Sequence, residues 1–235
     1  MKTPNPIHQR RSAGLTIVEV LVGIIVVVVL LGFLLPVFSR PCAKGRMTDS
    51  LNNAKQIGTA LKMYAGDHDG RFPFARLDDT PLGPSDASNR ALENLMPKYS
   101  TTKKLFFNKT SAWCAKPAVD TSADSYLLKR GQNDWNYIVG LVERSDARWP
   151  LVTTATISAT DLTWSSDTTA KGGVWGGTDA VIVYADGSAK IETCNGSADP
   201  AGKTRTFFKR PGAEMNILTA TPEWLGAASF VLAPE

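Results

Sequence analysis

The chain has 235 residues, 43% of them apolar and 20% charged, and its 26 basic residues against 22 acidic ones give a formal net charge of +4. That length holds one apolar segment and one globular domain of ordinary size, and excludes a large multidomain machine. Three of the basic residues, Lys2, Arg10 and Arg11, precede Gly14; without them 23 basic residues face 22 acidic ones, so the excess charge belongs to the leader and nucleic acid is not expected as a partner.

The first predicted element is the apolar run from Leu15 to Phe38. At 1.5 Å per residue it is long enough to cross a bilayer core of about 30 Å, and reads as a transmembrane helix. The small residues Ser12, Ala13 and Gly14 stand before the run, whereas a secretory signal has its cleavage site after it. One carboxylate, Glu19, lies near the start of the run, where an ionisable group is costly and marks function. Charge does not orient the segment, because Lys2, Arg10 and Arg11 before it are balanced by Arg40, Lys44 and Arg46 after it.

A second helix follows over residues 39–66. Met47, Leu51, Ala54, Ile57 or Gly58, Leu61 and Tyr64 recur at steps of three and four, which makes one apolar stripe on an amphipathic helix. Pro36, Pro41 and Gly45 lie between the two helical stretches and predict a kink or a melted segment there.

Residues 67–235 read as a globular sheet domain with loops. Ser88 to Tyr99 suggests a short helix ending near Pro97. The stretches DWNYIVGLVE and RWPLVTTATI are rich in aromatic and β-branched residues and predict strands. Lys171 to Ala180 contains four glycines and predicts a loop, without the Gly-Lys-Ser/Thr ending of a phosphate loop. In Ala180 to Thr193 an Asp-Gly pair between alternating apolar segments predicts a hairpin.

Residues that could carry chemistry are few. Asp67 and Asp69 flank His68 in a turn, with Asp78, Asp79 and Asp86 in the following loop, so Asp67 and Asp69 are candidate calcium ligands, although the twelve-residue EF-hand spacing is absent. The two histidines are His8, in the leader, and His68, which reads as a turn residue. No serine or cysteine motif supplies a nucleophile beside them, so the chain reads as a non-enzyme with no cofactor beyond calcium.

Gly14-Leu15-Thr16-Ile17-Val18-Glu19, behind a basic leader and ahead of a continuous apolar run, resembles the processing signal of type IV pilins and type II secretion pseudopilins. The resemblance implies cleavage by a prepilin peptidase between Gly14 and Leu15, N-methylation of Leu15, and a register-setting role for Glu19 through the N-terminal amine of a neighbouring subunit. Pro36 also stands where many members have proline; Leu15 departs from their usual phenylalanine. Leu51 to Pro73 and Ala180 to Thr193 resemble the helix-to-loop and hairpin segments of major-pseudopilin-like proteins, with Ser188 where members often carry histidine. Those relatives use calcium to order a loop.

The implied fold class is α+β and pilin-like: a long N-terminal helix, transmembrane in its first half and amphipathic in its second, packed on a small antiparallel sheet. The implied division is a cleaved leader at 1–14, a transmembrane and polymerisation segment at 15–38, the amphipathic helix at 39–66 and the sheet domain at 67–235. The implied location is the bacterial inner membrane, single-pass, with a cytoplasmic N-terminus and a periplasmic C-terminal domain, and then a pseudopilus or surface pilus. In that oxidising compartment Cys114 and Cys194 are candidates for a disulfide, with two buried thiols as the equal alternative, and Cys42 is left over. The implied function is a structural subunit of a secretion pseudopilus or type IV pilus, with prepilin peptidase, copies of itself or other pseudopilins, an inner-membrane assembly platform and lipid as partners. The alternative is a tethered or filament-tip ligand-binding domain that uses the same anchor.

Overall fold

The structure, a computed structural model, describes residues 17–38, 41–114, 126–157, 159, 163–193, 204–206 and 229–235, with side chains left undescribed at 31–44 and 204–206. The chain divides into two compact units, Met1–Gly45 and Arg46–Glu235. In the first, helix α1 covers Ile17–Phe38, and its described side chains, from Ile17 to Leu30, are all exposed. Helix α2 covers Pro41–Asp67, and the second unit takes it up from Arg46.

The second unit is built on a five-stranded antiparallel sheet in the order β5-β4-β2-β1-β7. The strands are β1 (Trp135–Val139), β2 (Pro150–Thr154), β4 (Asp179–Tyr184), β5 (Ala189–Thr193) and β7 (Phe230–Leu232). A separate two-stranded ladder joins β3 (Thr163–Ser165) to β6 (Thr204–Thr206). Strands β1 and β2 are buried at every position, as expected of central strands covered on both faces. Pro150 has no N–H to give and opens β2, where the pairing with β4 shifts register before Val152.

The α2 stripe meets this sheet. Ala54, Ile57, Leu61 and Ala65 are fully buried and Tyr64 nearly so, in one cluster with Trp135, Tyr137, Ile138 and Val181. Contact is closest at two glycines. A Cβ on Gly58 would lie 2.6 Å from the Gly187 carbonyl oxygen and 2.9 Å from Val183 Cγ1, so the helix crosses the β4–β5 hairpin where neither backbone carries a side chain. Gly187 also has a φ of 84°, which the Asp-Gly turn requires. A Lys62–Glu143 ion pair at 2.6 Å flanks the crossing.

A short helix α3 (Ser88–Leu92), continued by a 3-10 turn at Glu93–Leu95, is tied to β1 by buried polar groups. Ser88 Oγ donates to the Trp135 carbonyl at 2.6 Å, and Asn133 Nδ2 donates to Asn89 Oδ1 at 3.0 Å. Trp135 Nε1 donates to the Leu105 carbonyl at 3.1 Å, and the Tyr137 hydroxyl to the Pro73 carbonyl at 2.8 Å. Thus the two large aromatics of β1 hold the loops on either side of α3.

Three expectations are corrected. Among the described residues no helix is long and apolar enough to cross a membrane. The transmembrane helix and the single-pass inner-membrane location are therefore not what the structure presents. Nor is the architecture pilin-like: in place of one long N-terminal helix on a small sheet, α1 and α2 are separate elements, and a five-stranded antiparallel sheet carries the fold. The physical reason is that what folds the second unit is burial of the α2 stripe from Ala54 onward in one core with the sheet.

Candidate functional site

The sequence singles out the start of α1. Glu19 lies in the first turn of that helix, where the unsatisfied N–H groups favour a negative charge. Ile17 is 85% exposed and Val18 69%, and the apolar side chains onward to Leu30 remain half exposed or more. The segment presents an acid beside a wide apolar surface. Gly14 and Leu15, the expected cleavage and methylation positions, lie outside the described residues.

Of the expected helix-breaking positions, Pro36 falls within α1, Pro41 is the first residue of α2, and Gly45 lies inside α2. Proline suits a first helical position because its missing N–H has no intrahelical partner there. The helix continues through Gly45, whose cost of about 1 kcal/mol does not end it. Residues 39–40 lie outside the described residues.

The calcium candidates sit where α2 ends. Gly70, at φ 75°, donates its N–H to the Ala65 carbonyl at 2.8 Å, and Asp69 also takes a positive φ of 52°, so the chain reverses in a left-handed cap. The His68 ring stacks on Tyr64 at 3.7 Å between centroids, and its Nδ1 donates to the Tyr64 carbonyl at 2.7 Å. The Asp67 carboxylate receives Lys98 Nζ and the Tyr99 hydroxyl, each at 2.8 Å, and these two hold it below the usual carboxylate range. Asp78 accepts from the Thr80 N–H, and Asp86 from Arg76 and the Gly83 N–H. Asp78 and Asp86 close turns while Asp67 is paired across to Lys98 and Tyr99, and among the described residues no group of three or more His, Cys, Asp or Glu side chains is placed to hold a metal.

Of the two cysteines expected to pair, Cys114 is a free, buried thiol pushed up to about 12 by burial, and Cys194 lies outside the described residues. Cys42 lies in α2, where its side chain is not described.

A groove of about 620 Å³ runs beside α2, lined by Asp49, Ser50, Asn53, Lys104, Phe107 and Lys109. Its polar groups mostly serve one another: Lys109 pairs with Asp49 at 3.1 Å, and Asn53 donates to the Lys104 and Phe107 carbonyls.

Two buried acids escaped the sequence reading. Glu93 is 2% exposed and accepts the Leu128 N–H at 2.8 Å; burial raises its pKa, and that hydrogen bond and Arg90 oppose the rise. Asp134, 1% exposed, immediately precedes β1 and accepts from Trp113 Nε1 at 2.9 Å; burial raises it to about 7. The sole sequence signal for Asp134 is its place against the aromatic run of β1.

No family model matches the chain, and no curated protein or solved structure matches it.

Proposed function

We propose that this chain is a structural filament subunit of the type II secretion pseudopilus or type IV pilus class, cut by a prepilin peptidase between Gly14 and Leu15 and assembled through its N-terminal helix. The observation that carries the reading is the spacing of Gly14, Leu15 and Glu19 ahead of a continuous apolar run. The exposed apolar surface of α1, with Glu19 in its first turn, supports it by giving copies of the chain a surface to bury. In a packed assembly Glu19 would face the N-terminal amine of an adjoining copy, each removing the other's cost of burial.

Two measurements on the protein from its host test this. Intact mass gives the mature N-terminus, which is expected at methylated Leu15; any other N-terminus overturns the processing. Glu19→Ala is expected to leave the second unit folded and to deplete the protein from sheared filaments or isolated pseudopili. Incorporation of Glu19→Ala at wild-type level overturns the pairing and favours a ligand-binding domain at a filament tip.

A further inference from the structure

We propose that Asp134 is a protonation-controlled latch, clamping the turn at residues 108–114 onto the start of β1 and so governing access to the Cys114 thiol. The backbone of Asp134 is stitched to two segments: its N–H donates to the Phe106 carbonyl and its carbonyl accepts from the Ala155 N–H, both at 2.9 Å. Its side chain then organises the turn through one oxygen. Oδ1 accepts from Trp113 Nε1 at 2.9 Å and from Ser111 Oγ at 3.4 Å. Ser111 Oγ in turn accepts the Cys114 N–H at 3.3 Å, and the Ser111 N–H donates to the Asn108 carbonyl at 3.0 Å.

The second oxygen, Oδ2, is buried and makes no well-formed hydrogen bond among the described residues; the Asn108 side chain faces the carboxyl and favours its charged form, but too weakly to offset burial. The groups that face the carboxyl are Asn108, Ser111, Trp113 and Cys114 from the turn and Lys171 from the segment between β3 and β4, with Arg130 acting on Lys171. Lys171 is already engaged, because it donates to the Pro234 carbonyl and its Nζ lies 5.3 Å from the centre of the Trp113 ring. The remaining groups do not offset burial, which puts the titration near neutrality.

The sign follows from burial of the charged form. Below neutrality the carboxyl is neutral, fits its enclosure and keeps Oδ1 on Trp113 and Ser111. An open turn lets water reach the carboxyl, which then ionises at its ordinary, lower pKa, so opening becomes more favourable as pH rises from there to about 7, above which the enclosed carboxyl is ionised as well. Cys114 is 5% exposed, and burial and the Asp134 charge both raise its thiol pKa. A closed turn therefore keeps the thiol inert, and an open one makes it available to oxidants and metals.

Hydrogen exchange on the full chain, from pH 5 to 9 and corrected for intrinsic chemistry, reads the latch at the amides of residues 110–114. Wild-type protection at Cys114 is expected to fall by up to about tenfold per pH unit from pH 5 towards about 7 and to level off above it, and that levelling-off is the step. Asp134→Asn, neutral and of the same shape, is expected to show no step. Trp113→Phe keeps the carboxyl and removes a donor that favours ionisation, so its step is expected at higher pH. A flat wild-type profile, or a step that survives in Asp134→Asn, overturns the proposal; where Asp134→Asn does not fold, an unshifted step in Trp113→Phe overturns it.

Discussion

Along α1 every described side chain from Ile17 to Leu30 is exposed, whereas along α2 burial returns with the helical period at Ala54, Ile57, Leu61, Tyr64 and Ala65. Both helices carry apolar residues, and the difference lies in what meets them. The α2 stripe is narrow, flanked by Lys55, Gln56 and Lys62, and it is covered by the chain's own sheet, so its burial is part of folding. The described α1 surface is apolar apart from Glu19, and its side chains from Ile17 to Leu30 are all exposed. Apolar side chains thus stabilise this fold where its own sheet covers them, and along the described part of α1 they offer a surface to something else.

Substitutions in the two regions should separate accordingly. The largest loss is expected at Trp135, fully buried on β1: Trp135→Ala removes the ring and leaves the Leu105 carbonyl without its donor, and should lower unfolding stability by about 3–5 kcal/mol in a denaturant titration. Gly58→Ala should cost about 1–3 kcal/mol in the same assay, because the new methyl meets the Gly187 backbone and one of the two elements must shift. Gly45→Ala is its control within the same helix; nothing lies within 4 Å of the added Cβ, so the change should be neutral or stabilising by up to about 1 kcal/mol. If both glycine variants move the midpoint alike, the crossing of α2 over the hairpin is not where the packing is tight.

Smaller effects sharpen the contrast. Lys62→Ala breaks a partly exposed pair with Glu143 and should cost about 1 kcal/mol or less, diminishing further as salt is added. In α1, Ile24→Ala should leave the unfolding midpoint of the second unit unchanged within about 0.5 kcal/mol. A larger loss at Ile24, 60% exposed, would mean that the α1 surface takes part in folding after all.

What could be read from the sequence was what local pattern encodes. The α2 stripe was legible because burial at Ala54, Ile57, Leu61 and Tyr64 follows from spacing alone. The β4–β5 hairpin was legible because Asp186-Gly187 specifies its turn, and β1 and β2 because aromatic and β-branched residues crowd them. The pairing of β7 with β1 was not legible: three residues, Phe230 to Leu232, carry no period, and their partner is remote in the chain. The burial of Asp134 escaped for a related reason, since a carboxylate is enclosed by what folds over it, here Trp113 and Ser111, and not by its own neighbours. Apolar length was over-read at residues 15–38, where the described part of α1 does not make a membrane-crossing helix.

Strand β7 also imposes an order in time. It closes one edge of the sheet against β1, pairing Phe230 with Val139 and Leu232 with Tyr137, so β1 waits for a neighbour made about ninety residues later. At about 5–20 residues per second, synthesis supplies that neighbour roughly 5–20 s after β1 has emerged. Through that interval the outer edge of β1 is an open template, and the hydrogen bonds that Tyr137 and Val139 will give to β7 are available to any extended chain nearby. A nascent chain stalled short of Phe230 should therefore be recognised by chaperones and prone to association, even with the α2 stripe, β2 and the β4–β5 hairpin already made.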